Sequence, residues 1–175
     1  EKYFGSFTQA CTCTWASAGK SLFAFLAGQA VEQGYFALTD MVSTYLDTGW
    51  TSCLQNDELK ISIRDMLAMS TGLDDGVPDN DCTLPSCLQC LADPNTRWAY
   101  HNAPYTLSHQ VLEKATNQTI NGFTIQNLLL KTGMFGIWIQ LGYNEVFASR
   151  TRDMARFGLL MLNRGIWDAD TLLAD

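Results

Sequence analysis

The stretch "TWASAGKSLFAF", residues 14–25, places a serine and a lysine three positions apart at the start of a long apolar segment. Apolar residues recur through residues 19–34, which predicts a buried helix, and Gly34 is a typical helix stop. Because residues three apart lie on one face of a helix, we expect the side chains of Ser17 and Lys20 to meet. Either Ser17 caps the helix beside a solvated lysine, or the two residues do chemistry together.

The second interpretation has a clear physical basis. Backbone N–H groups at a helix N-terminus, together with the helix dipole, favour negative charge that develops on Ser17. The apolar residues that follow Lys20 disfavour its charged form, and a neutral amine can take the proton of a serine. The first interpretation remains open, because serine is a common N-cap residue.

A second motif, Tyr100-His101-Asn102, lies in the aromatic loop "PNTRWAYHNAPY", residues 94–105. A tyrosine hydroxyl can relay a proton between a nucleophile and a leaving group when nearby cations lower its pKa. The Asn102 amide can bind the lysine and a substrate carbonyl at once. His101 lies between these two residues, so we expect its side chain to point away from theirs. The alternative is a surface loop with a buried tyrosine and a turn asparagine.

The composition indicates a folded domain of acidic character. The 175 residues are 47% hydrophobic and 17% charged, which gives enough apolar material for a core and too little charge for disorder. With 11 Lys and Arg against 18 Asp and Glu, the formal net charge is -7. Such a chain is a poor match for nucleic acid. The apolar run after Lys20 is interrupted by Gln29 and Glu32, which makes it too short for a membrane span.

The cysteines indicate disulfides and therefore an oxidising compartment. The six cysteines are Cys11, Cys13, Cys53, Cys82, Cys87 and Cys90. Cys87 and Cys90 form a C-x-x-C, which would also fit a redox or zinc site, but a second close pair with zinc-site spacing is absent. We interpret Cys82, Cys87 and Cys90 as staples of a loop, and Cys11 and Cys13 as partners of another loop. The sequence leaves the connectivity open.

Residues 74–87 predict an irregular acidic loop that is rich in Asp, Gly and Pro. Four of its carboxylates could bind calcium, but their spacing does not fit an EF-hand loop: Asp74, Asp75, Asp79 and Asp81. We therefore predict a solvated loop and no metal site.

The other segments are predicted to be mostly helical. Residues 2–7 alternate like a strand, whereas helical periodicity or helix-terminal residues occur in residues 38–46, 61–73, 105–117, 124–136 and 149–165. We expect Ser62 and Thr151 to cap two of these helices. The last of them should bury a stripe of Met154, Phe157, Leu160 and Met161.

Four stretches resemble, in order, the pattern of the serine β-lactamase-like family, which unites class C β-lactamases, low-molecular-weight DD-peptidases and related esterases. They are "WASAGKSL" (15–22), "ISIRDMLAMSTGL" (61–73), "PNTRWAYHNAPYTLSHQVLEKATNQT" (94–119) and "SRTRDMARFGLLMLNRGIW" (149–167). The resemblance covers nearly the whole chain. An S-x-x-K followed by a Y-x-N in this context is far more specific than either motif alone.

The resemblance implies a mixed α/β domain of the β-lactamase/transpeptidase type, in which an antiparallel sheet is flanked by helices and the site lies between the sheet and a helical region. It implies that Ser17 is the acylated serine, Lys20 the activating lysine and Tyr100 the general acid/base. Asn102 would orient the lysine and the substrate. The backbone N–H of Ser17 would supply half of the oxyanion hole.

The third motif of the family is a K-T-G or His-x-Gly on a late core strand. Lys131-Thr132-Gly133 spells K-T-G, but it ends a predicted helix, where Lys and Gly are ordinary residues. We therefore expect the true motif and its strands beyond Asp175, and a first strand before Glu1. On this interpretation residues 1–175 are a partial β-lactamase-like serine hydrolase domain, and the missing strands would be needed for catalysis.

The resemblance predicts a serine hydrolase that works through an acyl-enzyme without a metal or organic cofactor. Its substrates would be small esters, β-lactams or D-alanyl peptides, with esters favoured because the pattern is shared by many hydrolases. The alternatives are a penicillin-binding sensor that deacylates slowly and a catalytically inactive relative. The cysteines favour a periplasmic or secreted location. The sequence predicts neither a nucleic-acid partner nor an oligomeric state.

Overall fold

The computed structural model describes residues 2–174 and confirms a mixed α/β fold, with helices around a small antiparallel sheet. The helices are α1 (Gly19–Glu32), α2 (Ser43–Leu46), α3 (Gln55–Glu58), α4 (Ile63–Ala68), α5 (Asn102–Thr116), α6 (Ile120–Thr124), α7 (Leu130–Thr132) and α8 (Thr151–Leu162). The strands are β1 (Thr12–Thr14), β2 (Gly136–Leu141), β3 (Asn144–Arg150), β4 (Ile166–Trp167) and β5 (Asp170–Thr171). Within residues 2–174, no helix is long and apolar enough to cross a membrane.

Three strands form the sheet beside the helices, in the order β1-β3-β2, and all neighbours are antiparallel. Strands β2 and β3 form a hairpin that the sequence analysis missed, and their register pairs Leu141 with Asn144. The prediction of a strand at residues 2–7 is wrong, because these residues form irregular chain and a turn. The N-terminal strand lies at Thr12–Thr14 instead, where it pairs with the end of β3.

Helix α1 is the centre of the core, as its apolar sequence predicted. Leu22, Phe23 and Leu26 are at most 1% exposed. Burial of each such side chain contributes roughly 1.5–3 kcal/mol. The helix ends at Glu32, and Gly34 follows with a left-handed φ of +76°, which confirms the predicted stop. A helix packed on most of its faces is a rigid support for the residues at its N-terminus.

The predicted helix signals are confirmed in some places and corrected in others. Ser62 caps α4 through a capping box with Asp65, but the helix ends at Ala68, earlier than predicted. The prediction that Thr151 caps the last long helix is wrong. Strand β3 runs up to Arg150, so Arg150 is the N-cap residue and Thr151 is already the first residue of α8. Met161 is 49% exposed and does not belong to the buried stripe.

Two disulfides fasten the acidic loop and the segment directly after it, ahead of α5. Cys53 pairs with Cys90, and Cys82 pairs with Cys87, so the two cysteines of the C-x-x-C belong to different bridges. This confirms the interpretation of the loop cysteines as staples. The expected pairing of Cys11 and Cys13 with another loop is wrong, since both are free thiols.

Gly72 anchors the chain segment that leads to Tyr100. Its carbonyl oxygen accepts hydrogen bonds from the backbone N–H groups of Leu91 and Ala92, both at 3.0 Å. Its φ is +78°, and a Cβ at this position would lie 2.2 Å from the Ala92 carbonyl oxygen. A side chain here therefore meets both an unfavourable backbone conformation and a backbone clash.

We predict that Gly72→Ala lowers the free energy of unfolding by about 2–5 kcal/mol, because the left-handed conformation costs about 1–2 kcal/mol and forced repacking costs about 1–3 kcal/mol. Gly34→Ala is the matched control, since Gly34 has a φ of +76° and no atom within 4 Å of an added Cβ. The control should lose only about 1–2 kcal/mol, which is the cost of the left-handed conformation. Urea unfolding measures both variants, and equal losses would contradict the clash.

Candidate active site

Strand β3 holds the chain just before Ser17. The backbone N–H of Trp15 donates to the Phe147 carbonyl at 2.8 Å, and the Trp15 indole N–H donates to Ser149 Oγ at 2.7 Å. The chain then turns sharply at Ala16, whose φ is +46°, and enters a 3₁₀ turn that runs directly into α1. Ser17 lies in this turn and makes no helix-capping hydrogen bond, so the helix-cap interpretation of Ser17 is wrong.

The structure brings together three of the four residues singled out from the sequence. Ser17 Oγ lies 2.6 Å from Tyr100 Oη, and either hydroxyl can be the donor. Lys20 Nζ donates to Ser17 Oγ at a longer distance of 3.4 Å. Lys20 Nζ also lies 5.2 Å from the centroid of the Tyr100 ring, a cation–π distance. The serine hydroxyl therefore contacts two groups that can take its proton.

The pKa of Tyr100 is lowered from its ordinary value. Partial burial alone would raise this pKa, but hydrogen bonds with Ser17 and Lys20 and the positive charge of Lys20 outweigh it. The charge of Asp81 acts in the opposite direction and raises the pKa of Tyr100. A tyrosine with a lowered pKa is better suited to exchange protons near neutral pH.

Tyr105 supports the site and was missed from the sequence. Its hydroxyl donates to the Lys20 carbonyl at 2.7 Å, and its ring centroid lies 5.4 Å from Lys20 Nζ. Burial raises the pKa of Tyr105, so the hydroxyl remains a donor. Tyr105 lies three residues after Asn102 on α5, so the two share a helix face, and this spacing could have identified Tyr105 from the sequence.

Asn102, the fourth residue, begins α5 and lines the same cavity as Ser17 and Lys20. Its Nδ2 donates to Asp81 Oδ1 at 2.8 Å. Its Oδ1 is buried and has no hydrogen-bond partner among residues 2–174, so the predicted contact with Lys20 is not made in this structure.

A cavity of about 170 Å³ opens beside Ser17, between the start of α1, helix α5 and strand β3. His109 lies in its wall, with ring centroids 4.2 Å from Phe23 and 4.8 Å from Trp138. His109 Nδ1 lies 2.9 Å from Glu145 Oε2. His109 is therefore a packed histidine of the core.

The described residues offer no metal centre. Among residues 2–174, no group of three or more His, Cys, Asp or Glu side chains is placed to hold an ion. In the acidic loop, Asp75 pairs with Arg97, and Asp79 accepts the backbone N–H of Asp81 at 3.0 Å. The carboxylates of the loop thus shape the loop itself.

The Lys131-Thr132-Gly133 sequence ends a helix, as predicted. Lys131 and Thr132 belong to α7, and Gly133 follows with a left-handed φ of +64°. This K-T-G is therefore the C-terminus of a helix, where glycine is favoured.

His101 is buried between the two residues of the second motif. It is 2% exposed, and neither ring nitrogen has a hydrogen-bond partner among the described residues. Burial lowers the pKa of His101, although the nearby carboxylates of Asp75, Asp74 and Asp81 oppose this. The neutral imidazole is therefore the stable form in the folded protein.

We predict that the protein loses stability as the pH falls below about 6.5, since the unfolded chain then binds a proton that the folded chain excludes. His101 contributes a slope of up to about 1.4 kcal/mol per pH unit, and its full contribution is present above that pH. His101→Leu, which has a similar volume, should remove this contribution. Urea unfolding between pH 5 and 8 measures it, and parallel curves for both proteins would contradict the prediction.

Solved structures share the fold around this site. A candidate β-lactamase from Bacteroides dorei DSM 17855 matches with a TM-score of 0.82 and 19% identity, over 99% of this chain and 56% of that chain. A penicillin-binding protein from Bacillus halodurans matches with a TM-score of 0.74 and 16% identity, over 96% of this chain and 64% of that chain. A β-lactamase/D-alanine carboxypeptidase from Yersinia pestis matches with a TM-score of 0.72 and 14% identity, over 86% of this chain and 54% of that chain. The chain thus spans less than two thirds of each.

The sequence itself carries a family match. A search of curated protein sequences finds no match for the chain. The profile of the family described as Beta-lactamase matches residues 2–173, from before β1 to beyond β5. This profile covers nearly every residue, and the shared fold agrees with it, so the protein belongs to the β-lactamase family.

Proposed function

We propose that the protein is a serine hydrolase in which Ser17 attacks a carbonyl carbon and forms an acyl-enzyme. The observation that carries the proposal is the contact of Ser17 Oγ with Tyr100 Oη at 2.6 Å, beside Lys20 Nζ at 3.4 Å. A hydroxyl next to groups that can accept its proton is the arrangement that nucleophilic catalysis requires.

In this scheme each residue has one role. The neutral amine form of Lys20 accepts the Ser17 proton while Oγ bonds to the carbonyl carbon, and the Ser17 N–H stabilises the oxyanion. The Tyr100 hydroxyl gives its proton to the leaving group as that bond breaks, and the Lys20 ammonium then returns a proton to Tyr100. Water later attacks the acyl carbon and gives one proton, through Tyr100 or Lys20, to Ser17 Oγ as the Oγ–carbon bond breaks, which releases the acid and restores the serine hydroxyl.

Small esters are the substrates we favour, with β-lactams and D-alanyl peptides as further members of the same chemical class. The structures of similar fold support this class, since they include a candidate β-lactamase and a β-lactamase/D-alanine carboxypeptidase. The two disulfides support a periplasmic or secreted location, because such bonds persist in oxidising compartments.

A substrate panel tests the proposal on the full-length protein. Stopped-flow mixing with p-nitrophenyl acetate, a chromogenic cephalosporin and a D-alanyl-D-alanine peptide measures acylation and turnover. We expect a burst of p-nitrophenol followed by steady turnover with the ester. A penicillin adduct that persists for hours would favour the penicillin-binding sensor, and a folded protein that reacts with nothing in the panel would favour the inactive relative.

A further inference from the structure

The N-terminus of α5, which carries Asn102, is held by a remote loop. His101 is the N-cap residue but makes no side-chain capping bond. Instead, Asn80 Oδ1 accepts the backbone N–H of Asn102 at 3.0 Å, and the Asn80 carbonyl accepts the N–H of Ala103 at 3.1 Å. These bonds satisfy helix-terminal donors that would otherwise lack partners. The backbone of Asn102 is therefore fixed by a residue that lies 22 positions earlier.

The next residue of the loop, Asp81, fixes the Asn102 side chain. Asp81 Oδ1 accepts a hydrogen bond from Asn102 Nδ2 at 2.8 Å. Because an ionised carboxylate only accepts hydrogen bonds, the amide must present its NH₂ group to Asp81 and hold its oxygen away. That oxygen is buried and has no partner among residues 2–174. A buried acceptor without a donor costs free energy, so a hydrogen bond to this oxygen would be favourable.

Lys20 is a hydrogen-bond donor that lines the same cavity as Asn102. In the free protein its Nζ donates to Ser17 Oγ at 3.4 Å. Once Ser17 Oγ has bonded to the carbonyl carbon, it has lost its hydroxyl and is a weaker acceptor, while Lys20 stays an ammonium until it passes a proton to Tyr100. The Lys20 ammonium that carries the Ser17 proton then needs a new acceptor. The oxygen of Asn102, in the wall of the same cavity, is a buried acceptor without a partner among residues 2–174.

The loop is built to keep Asp81 in place. Asp81 is followed directly by Cys82, whose disulfide with Cys87 closes a short ring. The backbone N–H of Asp81 donates to Asp79 Oδ1, and Asn80 Nδ2 donates to the Asp75 carbonyl at 3.2 Å. Because the chain is constrained on both sides of Asp81, less conformational entropy is lost when Asp81 forms its hydrogen bond with Asn102.

We propose that Asp81 is a positioning residue, which orients the Asn102 amide so that its oxygen accepts a hydrogen bond from Lys20 after Lys20 has taken the Ser17 proton. The proposal rests on the serine hydrolase function proposed above. Asp81 touches no reacting atom and acts through Asn102.

The test compares Asp81→Ala and Asp81→Asn with the wild-type full-length protein, using the p-nitrophenyl acetate burst over a range of pH. Asp81→Ala removes the acceptor and should slow acylation by about 10- to 100-fold. Asp81→Asn keeps an oxygen that can accept from Asn102, so it should restore most of the rate. Asp74→Asn removes one charge from the same loop without touching Asn102 and should leave acylation unchanged.

The pH profile reports the loss of the Asp81 charge near Tyr100, whereas the recovery in Asp81→Asn separates positioning from simple damage to the fold. The charged groups that act on Tyr100 are Lys20 and Asp81, and the Asp81 charge raises the pKa of Tyr100. In both Asp81 variants, the part of the rate–pH curve that follows the ionisation of Tyr100 should therefore move to lower pH. If Asp81→Ala does not fold, Asp81→Leu takes its place, because it also removes the acceptor for Asn102 and should show the same slow acylation.

Two results would overturn the inference while the hydrolase function stands. One is a wild-type rate and profile in Asp81→Ala. The other is a slow Asp81→Ala with no recovery in Asp81→Asn, because the hydrogen bond to Asn102 would then not be what sets the rate. A wild-type protein without a burst or an acyl adduct would instead overturn the proposed function, and this inference with it, before any variant is measured.

Discussion

Ser17→Ala should abolish acyl-enzyme formation and lower ester hydrolysis by roughly 10⁴-fold or more, because the attacking atom is removed and water has to replace it. Ser17 is exposed and makes no capping bond, so the substitution should leave the fold intact. The measurement is the burst amplitude and the steady rate with p-nitrophenyl acetate, together with an unfolding curve.

Ser21→Ala is the matched control for this prediction. Ser21 is exposed and lies on the same helix, next to Lys20. It should behave like the wild type in both measurements. A folded Ser17→Ala protein that keeps the burst would show that another residue is the nucleophile.

Lys20→Met should slow acylation by roughly 10³-fold, since proton transfer by a positioned base contributes about 10²–10⁴-fold and the apolar replacement cannot accept a proton. Lys20→Arg should be almost as slow, because a guanidinium keeps the charge but does not give up its proton in proteins. The pair therefore separates the role of the charge from the role of the base. The measurement is the acylation rate at several pH values.

Lys131→Met is the control for the lysine variants. Lys131 is exposed at the end of α7, in the K-T-G sequence that ends a helix. It should acylate at the wild-type rate. A fast Lys20→Arg protein would show that Lys20 supplies only positive charge. A slow Lys131→Met protein would show that the K-T-G sequence takes part in acylation.

Local signals predicted the parts of the fold that depend on neighbouring residues. The apolar residues of α1, the stop at Gly34 and the capping box of Ser62 are each specified within one or two helical turns. The same holds for the K-T-G sequence, because a lysine and a glycine after apolar residues are helix-terminal signals. These expectations needed no knowledge of long-range contacts.

The β2–β3 hairpin could not be recognised by alternation. Ile137, Trp138 and Ile139 are consecutive apolar residues, so the period of two is hidden. The structure separates them, since Trp138 is 4% exposed in the core while Ile137 is 50% exposed. Short apolar runs of this kind do not distinguish a strand from a buried helix.

The support of the site depends on contacts that are distant in sequence. The Asp81–Asn102 hydrogen bond joins residues 21 positions apart. The Cys53–Cys90 bridge spans 37 positions. Six cysteines allow 15 connectivities, none of which the sequence alone selects. The motifs located Ser17, Lys20 and Tyr100, whereas the residues that hold them required the structure.

The central claim is that Ser17 is the nucleophile, and active-site labelling tests it most directly. Full-length protein is treated with a fluorophosphonate, its intact mass is measured, and the modified peptide is mapped. The account predicts a single adduct on Ser17, which Ser17→Ala loses and Ser21→Ala keeps. A folded protein that gains no adduct, or gains one on a different residue, would contradict it.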